Sequence, residues 1–135
     1  VTSYMSHSEF ENHLNFIQKH LNTGGTAIIS FTNARAIDFQ IRKFLNGILQ
    51  LLNLKKGVLG ASFQINAASL EKIKTQLSDN LILTNIHYFN HTFTPANHFF
   101  PNLSIRLDKW IQNRHFSPMI LSFISADFLI KIKRV

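Results

Sequence analysis

The chain has 135 residues, of which 45% are hydrophobic, and this composition favours one folded domain over a disordered chain. Lys and Arg number 14 against 7 Asp and Glu, so a formal net charge of +7 attracts phosphates, anionic lipids or acidic partners. The absence of cysteine excludes disulfide bonds and thiolate metal sites and favours a cytoplasmic location. Apolar runs are interrupted before the roughly 20 residues that a membrane span needs, so no span is predicted.

The first predicted elements are a helix and a strand joined by a double glycine. A helix is predicted over residues 9–21, where apolar residues recur at helical spacing, with Ser8 as the expected N-cap. Gly24 and Gly25 can adopt the left-handed backbone geometry that ends a helix. The run TAIISF that follows is β-branched and nearly continuously apolar, which predicts a strand covered on both faces, as in a parallel sheet.

The rest of the chain continues to combine helices and strands. Asn33 closes the first strand and is expected to cap a second helix with a broad apolar face over residues 37–52. The remaining predicted elements, in chain order, are a loop and short extended piece over residues 54–65, a helix over residues 69–77, a strand over residues 81–93, a loop between Pro95 and Pro101, a helix over residues 103–112 and a strand over residues 125–135. With residues 1–8 interpreted as the remnant of an earlier strand, this order predicts an α/β fold in a single domain.

The segment from Leu21 to Asn33 has a distinctive order of residues. LNTGG ends a helix, TAIISF forms the next strand, and Thr32 and Asn33 close it. This series resembles the C-terminal half of a class I methyltransferase that uses S-adenosylmethionine, in which a helix ends in Pro-Gly-Gly and the next strand ends in Pro and Asn. ASLEKIKTQL is similar to the helix near the family's end, LILTNIHYF to its sixth strand and ADFLIKIKR to its seventh. The resemblance implies a partial Rossmann-like methyltransferase fold over residues 1–135, with a mixed sheet, an antiparallel last strand and flanking helices.

The resemblance also implies a cofactor and a reaction. The complete protein is expected to use S-adenosylmethionine to methylate a small-molecule, lipid or sugar-derived acceptor. The family holds its cofactor with a glycine-rich turn after strand one and an acidic residue at the end of strand two, and this sequence contains neither feature. We therefore expect a truncated or remnant domain that does not catalyse alone and that self-associates, or pairs with a missing N-terminal half, through an unpaired strand edge.

The resembled fold places its pocket beyond the C-terminal ends of the strands. Two turns of this chain are expected on the rim of that pocket, one before the first helix and one after the first strand. The candidate site residues on these turns are Tyr4, Met5, His7, Asn33 and Arg35. Against this interpretation, His7 can be a solvated loop histidine, and capping alone would explain Asn33.

The histidines and the basic, aromatic segments have structural explanations as well as functional ones. His87 and His91 invite a metal site, but positions four apart on one strand lie roughly 13 Å apart, which disfavours a shared zinc ion. The basic and aromatic segments RLDKWIQNRHF and KIKR suit nucleic acid, yet a solvated helix face and a basic strand end explain them more simply. The alternative to a methyltransferase is a noncatalytic α/β binding or scaffold module that engages a partner through its basic, Phe-rich surface.

Overall fold

A computed structural model of the chain describes residues 6–51, 67–91 and 99–135. The described helices and strands, in chain order, are α1 (His7–His20), β1 (Thr26–Thr32), α2 (Ile37–Leu51), α3 (Leu70–Gln76), β2 (Leu81–Phe89), α4 (Pro101–Gln112), α5 (Pro118–Ile124) and β3 (Asp127–Arg134). The predicted α/β class is confirmed, and α5 is an additional helix that the sequence patterns did not predict. The prediction of a strand remnant over residues 1–8 is wrong for its described end, because Ser6 caps α1 and residues 7 and 8 belong to that helix. The predicted second strand ends earlier than expected, at Phe89, and its positions 92 and 93 lie outside the described residues, as does the loop over residues 54–65.

The described strands form one open sheet with β3 in the middle. The strand order is β1-β3-β2, and β3 is antiparallel to both neighbours. The first two strands therefore run in the same direction, and the prediction of an antiparallel last strand is confirmed. The expected parallel pairing of the first strand is not found in the described sheet, because the strand beside β1 is β3 and it runs the other way.

One face of the sheet carries the hydrophobic core. Side chains from the strands align across this face, as Ile29 does with Ile130 and Phe31 with Phe128. Helices α1 and α3 supply apolar side chains to the same cluster. Its buried members are Phe10, Leu14, Ile29, Phe31, Ile73, Leu81, Phe128, Ile130 and Ile132.

The opposite face of β1 is open. Ile28 is 67% exposed, whereas Ile29 is 6% exposed. Successive side chains of a strand point to opposite faces, and α1 and α3 cover only the face that carries Ile29. The prediction that both faces of this strand are covered is therefore wrong for the described part of the chain.

The N-terminus of α1 is closed by a capping box, but it is built on Ser6 and not on the expected Ser8. The Glu9 backbone N–H donates to Ser6 Oγ at 3.3 Å, and the Glu9 carboxylate accepts from the Ser6 backbone N–H at 2.6 Å. The Ser6 hydroxyl also donates to the Glu9 carboxylate, at 2.7 Å. The two hydrogen bonds from the Ser6 backbone N–H and hydroxyl hold the pKa of Glu9 below its ordinary value, because they favour the charged carboxylate. Ser6 is the cap in place of Ser8 because Glu9 lies three positions after it. In that arrangement the serine hydroxyl accepts from the Glu9 N–H, and the Glu9 carboxylate accepts from the serine N–H.

The double glycine forms a turn that is bonded to the end of β3. Gly24 has a φ of 80°, and a Cβ atom on Gly25 would lie 2.7 Å from the backbone oxygen of Asn22. The Gly24 N–H donates to the Arg134 carbonyl at 2.8 Å, and the Arg134 N–H donates to the Gly25 carbonyl at 3.0 Å. The prediction that the two glycines end the helix is wrong, because α1 ends at His20 with Leu21 as an extended C-cap, and only Gly24 has a positive φ. The predicted position of the double glycine directly before the first strand is confirmed, since β1 begins at Thr26.

The last strand also closes the C-terminal end of α1. Arg134 Nη1 donates to the carbonyl oxygens of Gln18 and Leu21 at 2.8 Å and 2.6 Å. These carbonyls belong to the negative end of the helix dipole, where a cation is favourable. The basic residue that ends the chain's final strand therefore joins α1 to the sheet.

We expect alanine to have opposite effects at two glycines of the chain. Gly24→Ala should lower the free energy of unfolding by about 1 kcal/mol, because a side chain is disfavoured at positive φ. Gly47→Ala should raise it by about 0.5–1 kcal/mol, because Gly47 lies within α2 and a Cβ atom there meets nothing within 4 Å. Urea unfolding followed by circular dichroism measures both changes, and equal signs for the two variants would contradict this account of the turn.

Candidate functional site

A small cavity lies where β1 and β2 end beside the start of β3. Asn33 and Arg35 follow β1, Tyr88 lies near the end of β2, and Phe128 lies near the start of β3. We call this space, of about 220 Å³, the strand-end cavity. Its lining is completed by residues of α3 and α5: Leu70, Glu71, Pro118, Met119 and Ser122.

Asn33 connects the end of β1 to the C-terminal end of α5. The residue is 3% exposed, and its Nδ2 donates to the carbonyl oxygens of Ser122 at 2.7 Å and Ser125 at 2.9 Å. Its Oδ1 accepts from the Arg35 backbone N–H at 3.0 Å. The expectation that Asn33 caps the second helix is wrong, because Arg35 precedes α2 and the side chain instead forms a turn before that helix.

Arg35 is held at the rim of the strand-end cavity by two contacts. Its Nη1 donates to Glu71 Oε1 at 3.0 Å, and its guanidinium lies 5.2 Å from the centre of the Phe123 ring. Both members of the ion pair are exposed, so the pair contributes little to stability and mainly orients the guanidinium. A positive charge is therefore fixed at the mouth of the cavity.

Tyr88 supplies the phenol of the strand-end cavity. Burial raises the pKa of Tyr88 above its ordinary value of 10.0, while Arg35 lowers it and Glu71 raises it by their charges. The hydroxyl is therefore protonated at neutral pH and can both donate and accept a hydrogen bond. No local sequence pattern marked Tyr88, since its neighbours in the cavity come from distant parts of the chain.

We expect the titration of Tyr88 to respond in opposite directions to its two charged neighbours. Arg35→Ala should raise the pKa of Tyr88 further, and Glu71→Gln should lower it, because each variant removes one of the two opposing charges. Because the raised pKa favours the protonated folded state, the associated stability is present below the unfolded pKa and is lost as pH rises through the folded pKa. NMR of ring-labelled tyrosine measures the pKa, and Tyr88→Phe assigns the signal among the 2 tyrosines. A fall in the pKa of Tyr88 in Arg35→Ala would contradict this geometry.

The structure places the sequence-predicted rim residues in different surroundings. Asn33 and Arg35 line the strand-end cavity. His7 is the first residue of α1, and Tyr4 and Met5 lie outside the described residues. Sequence reasoning missed Glu71 and Tyr88, and it missed the helix that closes the cavity, although Ser117 before Pro118 is a helix-start signal.

A larger cavity of about 730 Å³ follows the outer edge of β2. We call it the edge cavity, and residues of α3, α4 and α5 form its other walls. It shares Leu70, Tyr88 and Pro118 with the strand-end cavity. The two spaces therefore meet at the end of β2.

The strand-end cavity is too small for a complete nucleoside cofactor. Sites for ligands of that size enclose roughly 300–1,000 Å³, compared with about 220 Å³ here. The carboxylate at its rim, Glu71, is already paired with Arg35. The strand-end cavity by itself therefore does not fit S-adenosylmethionine as a whole and can supply only one wall of a larger pocket.

The structure also bears on metals and membranes. Within residues 6–51, 67–91 and 99–135, no group of three or more His, Asp or Glu side chains is placed to hold a metal ion. Over the same part of the chain, no helix combines the length and apolarity that a membrane crossing requires. Comparison of the chain with protein-family models, curated proteins and solved structures gives no match.

Proposed function

We propose that the chain is the C-terminal part of a methyltransferase domain that uses S-adenosylmethionine. The complete domain transfers a methyl group to a small-molecule, lipid or sugar-derived acceptor. One observation carries this proposal: the last strand lies antiparallel between two earlier strands that share a direction. An antiparallel last strand in an α/β order is what the sequence resemblance implies, and the Gly24–Gly25 turn precedes the first of these strands.

In this proposal the strand-end cavity is a wall of the acceptor pocket. It lies at the ends of β1 and β2, the edge of a sheet where α/β proteins bind ligands. Arg35 provides a fixed positive charge and Tyr88 a protonated hydroxyl, and both can orient an acceptor. Methyl transfer depends largely on such positioning, since the reacting groups must be held in line.

Calorimetric titration with S-adenosylmethionine tests the proposal. We expect no binding heat with the chain of residues 1–135 and clear binding when the chain is preceded by a segment containing a strand, a glycine-rich turn and a second strand with an acidic end. ATP serves as the nucleoside control and should bind to neither form. Binding of S-adenosylmethionine to residues 1–135 alone would contradict the proposal that the domain is partial. An upstream coding sequence without such a segment would contradict the methyltransferase assignment itself.

A second candidate function is a noncatalytic module that binds an acidic partner. The observation that favours it is the outer face of α4, where apolar side chains are exposed beside Arg106 and Lys109. The exposed apolar residues of this helix are Leu103, Ile105, Leu107 and Trp110. Apolar surface next to positive charge complements an acidic amphipathic surface.

The chain's 1 tryptophan reports on this second function, because Trp110 lies on α4 and is half-exposed. Adding an acidic amphipathic helical peptide should shift its fluorescence to shorter wavelength. The double variant R106E/K109E should abolish the shift, and K19E on α1 should retain it. A wild-type spectrum that the peptide leaves unchanged would remove this candidate.

A further inference from the structure

We propose that α4 lies in the surface of a membrane that contains anionic lipids, with one apolar side of the helix among the acyl chains. This inference rests on the second candidate function, because it names the partner of the same face of α4. It is independent of the methyltransferase proposal. Its basis is the placement of exposed apolar side chains and of charges around the helix.

One side of α4 faces the rest of the chain. Ser104 and Ile111 are buried, and Asp108 Oδ1 accepts from the His91 backbone N–H at 2.8 Å. The three α4 positions follow each other at steps of four and three residues, so they share one side of the helix. These contacts fix the rotation of α4 about its own axis and decide which side is turned outward.

A second side of α4 carries large apolar side chains that are exposed. They recur at steps of three, four and three residues, which aligns them along the helix. We call them the α4 stripe: Phe100, Leu103, Leu107 and Trp110. Each of the four is 46% exposed or more, although such side chains contribute most when they are buried. A continuous apolar row on a surface helix indicates a site that another apolar surface covers.

The exposed charged side chains of α4 are cationic. Arg106 and Lys109 are exposed beside the α4 stripe, on the flank turned away from the buried side of the helix. Asp108, the acidic residue of α4, is instead bonded to His91. Just beyond the helix, the Arg114 guanidinium lies 5.4 Å from the centre of the Trp110 ring. The stripe is therefore accompanied by positive charge along its flank and at its end.

A bilayer with anionic lipids complements this arrangement of apolar and cationic groups. The acyl chains accommodate the α4 stripe, and the headgroups pair with the cations, whose apolar stems let them reach the headgroup layer. Tryptophan is favoured at this boundary because its ring is amphipathic. A folded protein partner needs a preformed groove of matching shape, whereas a fluid acyl layer takes the shape of any apolar helix. We therefore assign the face to lipid.

Vesicle sedimentation with the chain of residues 1–135 tests this assignment. The probes are vesicles of phosphatidylcholine alone and vesicles in which about one-third of the lipid is phosphatidylserine. We expect binding to the anionic vesicles to be at least about tenfold tighter, because each cation near an anionic surface contributes about fivefold. Equal binding to the two kinds of vesicle, or binding to neither, would overturn the proposal.

Charge variants separate the α4 cations from the net charge of the chain. R106Q/K109Q should weaken binding to the anionic vesicles about 25-fold, about fivefold for each cation. K72Q/K74Q removes two exposed cations from α3 and should weaken binding by no more than about twofold, because distant charges are screened by salt. Equal losses in the two double variants would mean attraction to net charge alone and would overturn the proposal.

Apolar variants test the insertion of the α4 stripe. Leu103→Ala should weaken binding to the anionic vesicles about tenfold, because part of the inserted apolar surface is lost. Phe44→Ala removes an exposed apolar side chain from α2 and should leave binding unchanged. A Leu103→Ala variant that binds as tightly as the wild-type chain would overturn insertion of the stripe.

A measurement on the wild-type chain does not depend on how the variants fold. Trp110 is the chain's 1 tryptophan, and bromine atoms on lipid acyl chains quench a tryptophan ring only when the two are in contact. Anionic vesicles with brominated acyl chains should quench the fluorescence of Trp110, and the same vesicles without bromine should shift it to shorter wavelength. Vesicle binding without quenching would place the stripe outside the acyl layer and overturn the proposal.

The acidic amphipathic peptide separates this inference from the second candidate function. A peptide that inhibits vesicle binding would support a single shared face on α4. If the peptide shifts the fluorescence of Trp110 and the vesicles do not bind, the lipid assignment is wrong and the second candidate function stands. If neither the peptide nor the vesicles bind, both are wrong.

Discussion

Asn33→Ala is expected to lower the free energy of unfolding by about 3 kcal/mol, one of the two largest effects in this chain. The substitution removes two hydrogen bonds to the carbonyl oxygens of Ser122 and Ser125 and a third from the Arg35 backbone. Each lost bond contributes about 1 kcal/mol, and more where the remaining partner is buried without water. Urea unfolding of the variant measures the loss.

Asn33→Asp separates hydrogen bonding from shape. An aspartate has nearly the same size, but it places an acceptor oxygen where Asn33 Nδ2 donates to two carbonyl oxygens. We expect this variant to be at least as destabilised as Asn33→Ala at neutral pH and to recover part of the loss in acid, where a protonated carboxyl can donate once. Asn12→Ala, on the exposed side of α1, is the matched control and should stay within about 0.5 kcal/mol of wild type. A loss of the same small size in Asn33→Ala would mean that Asn33 does not connect β1 to α5.

The parts of this fold that the sequence predicted are those encoded by neighbouring residues. The third predicted helix is confirmed as α3, because Ser69 caps it and Leu70 and Ile73 face the core at helical spacing. The N-terminus of α1 could have been predicted more closely, since Ser6 and Glu9 form the capping-box pattern. Helix α5 was missed although Ser117 and Pro118 mark its start, because its sequence PMILSFI is almost continuously apolar and shows no helical periodicity.

The contacts that organise the two cavities lie beyond the reach of such patterns. Asn33 bonds to α5 across most of the chain, and no spacing rule connects it to Ser122. The residue types alone suggested a cap or a pocket residue, and the structure shows a buried connection. The pair of His91 and Asp108 likewise joins the end of a strand to the middle of a helix. Residue type can mark these polar side chains as candidate site residues, but only the tertiary structure shows which of them are in contact.

Exposure of the strands was the least predictable feature, because it depends on which elements cover each face. Ile28 and Ile29 are adjacent residues of the same type and lie on opposite sides of β1. Only the side of Ile29 meets α1 and α3, so the same residue type is buried at one position and exposed at the next. Periodicity identifies a strand, whereas the position of the covering helices decides which of its faces enters the core.

Phe128→Ala is the second large expected effect, a loss of about 4 kcal/mol in the free energy of unfolding. Phe128 is 1% exposed in the middle strand, and its ring centre lies 5.4 Å from that of Phe31 and 5.9 Å from that of Tyr88. Alanine removes the ring that joins all three strands and leaves a cavity that the surrounding side chains fill only in part. Since small domains are stable by only about 5–15 kcal/mol, this loss is a large part of the total.

Phe44→Ala is the control for Phe128→Ala, because it makes the same substitution at an exposed position. Phe44 lies on α2 and is 68% exposed, so the same substitution should change the free energy of unfolding by no more than about 0.5 kcal/mol. Phe128→Leu should fall between the two, because leucine restores part of the buried volume without the stacked ring. Urea unfolding at equal protein concentration measures all three variants. The two variants F128A and F44A should therefore differ in their loss of unfolding free energy, because Phe128 is buried in the central strand. Equal losses would contradict the placement of β3 at the centre of the core.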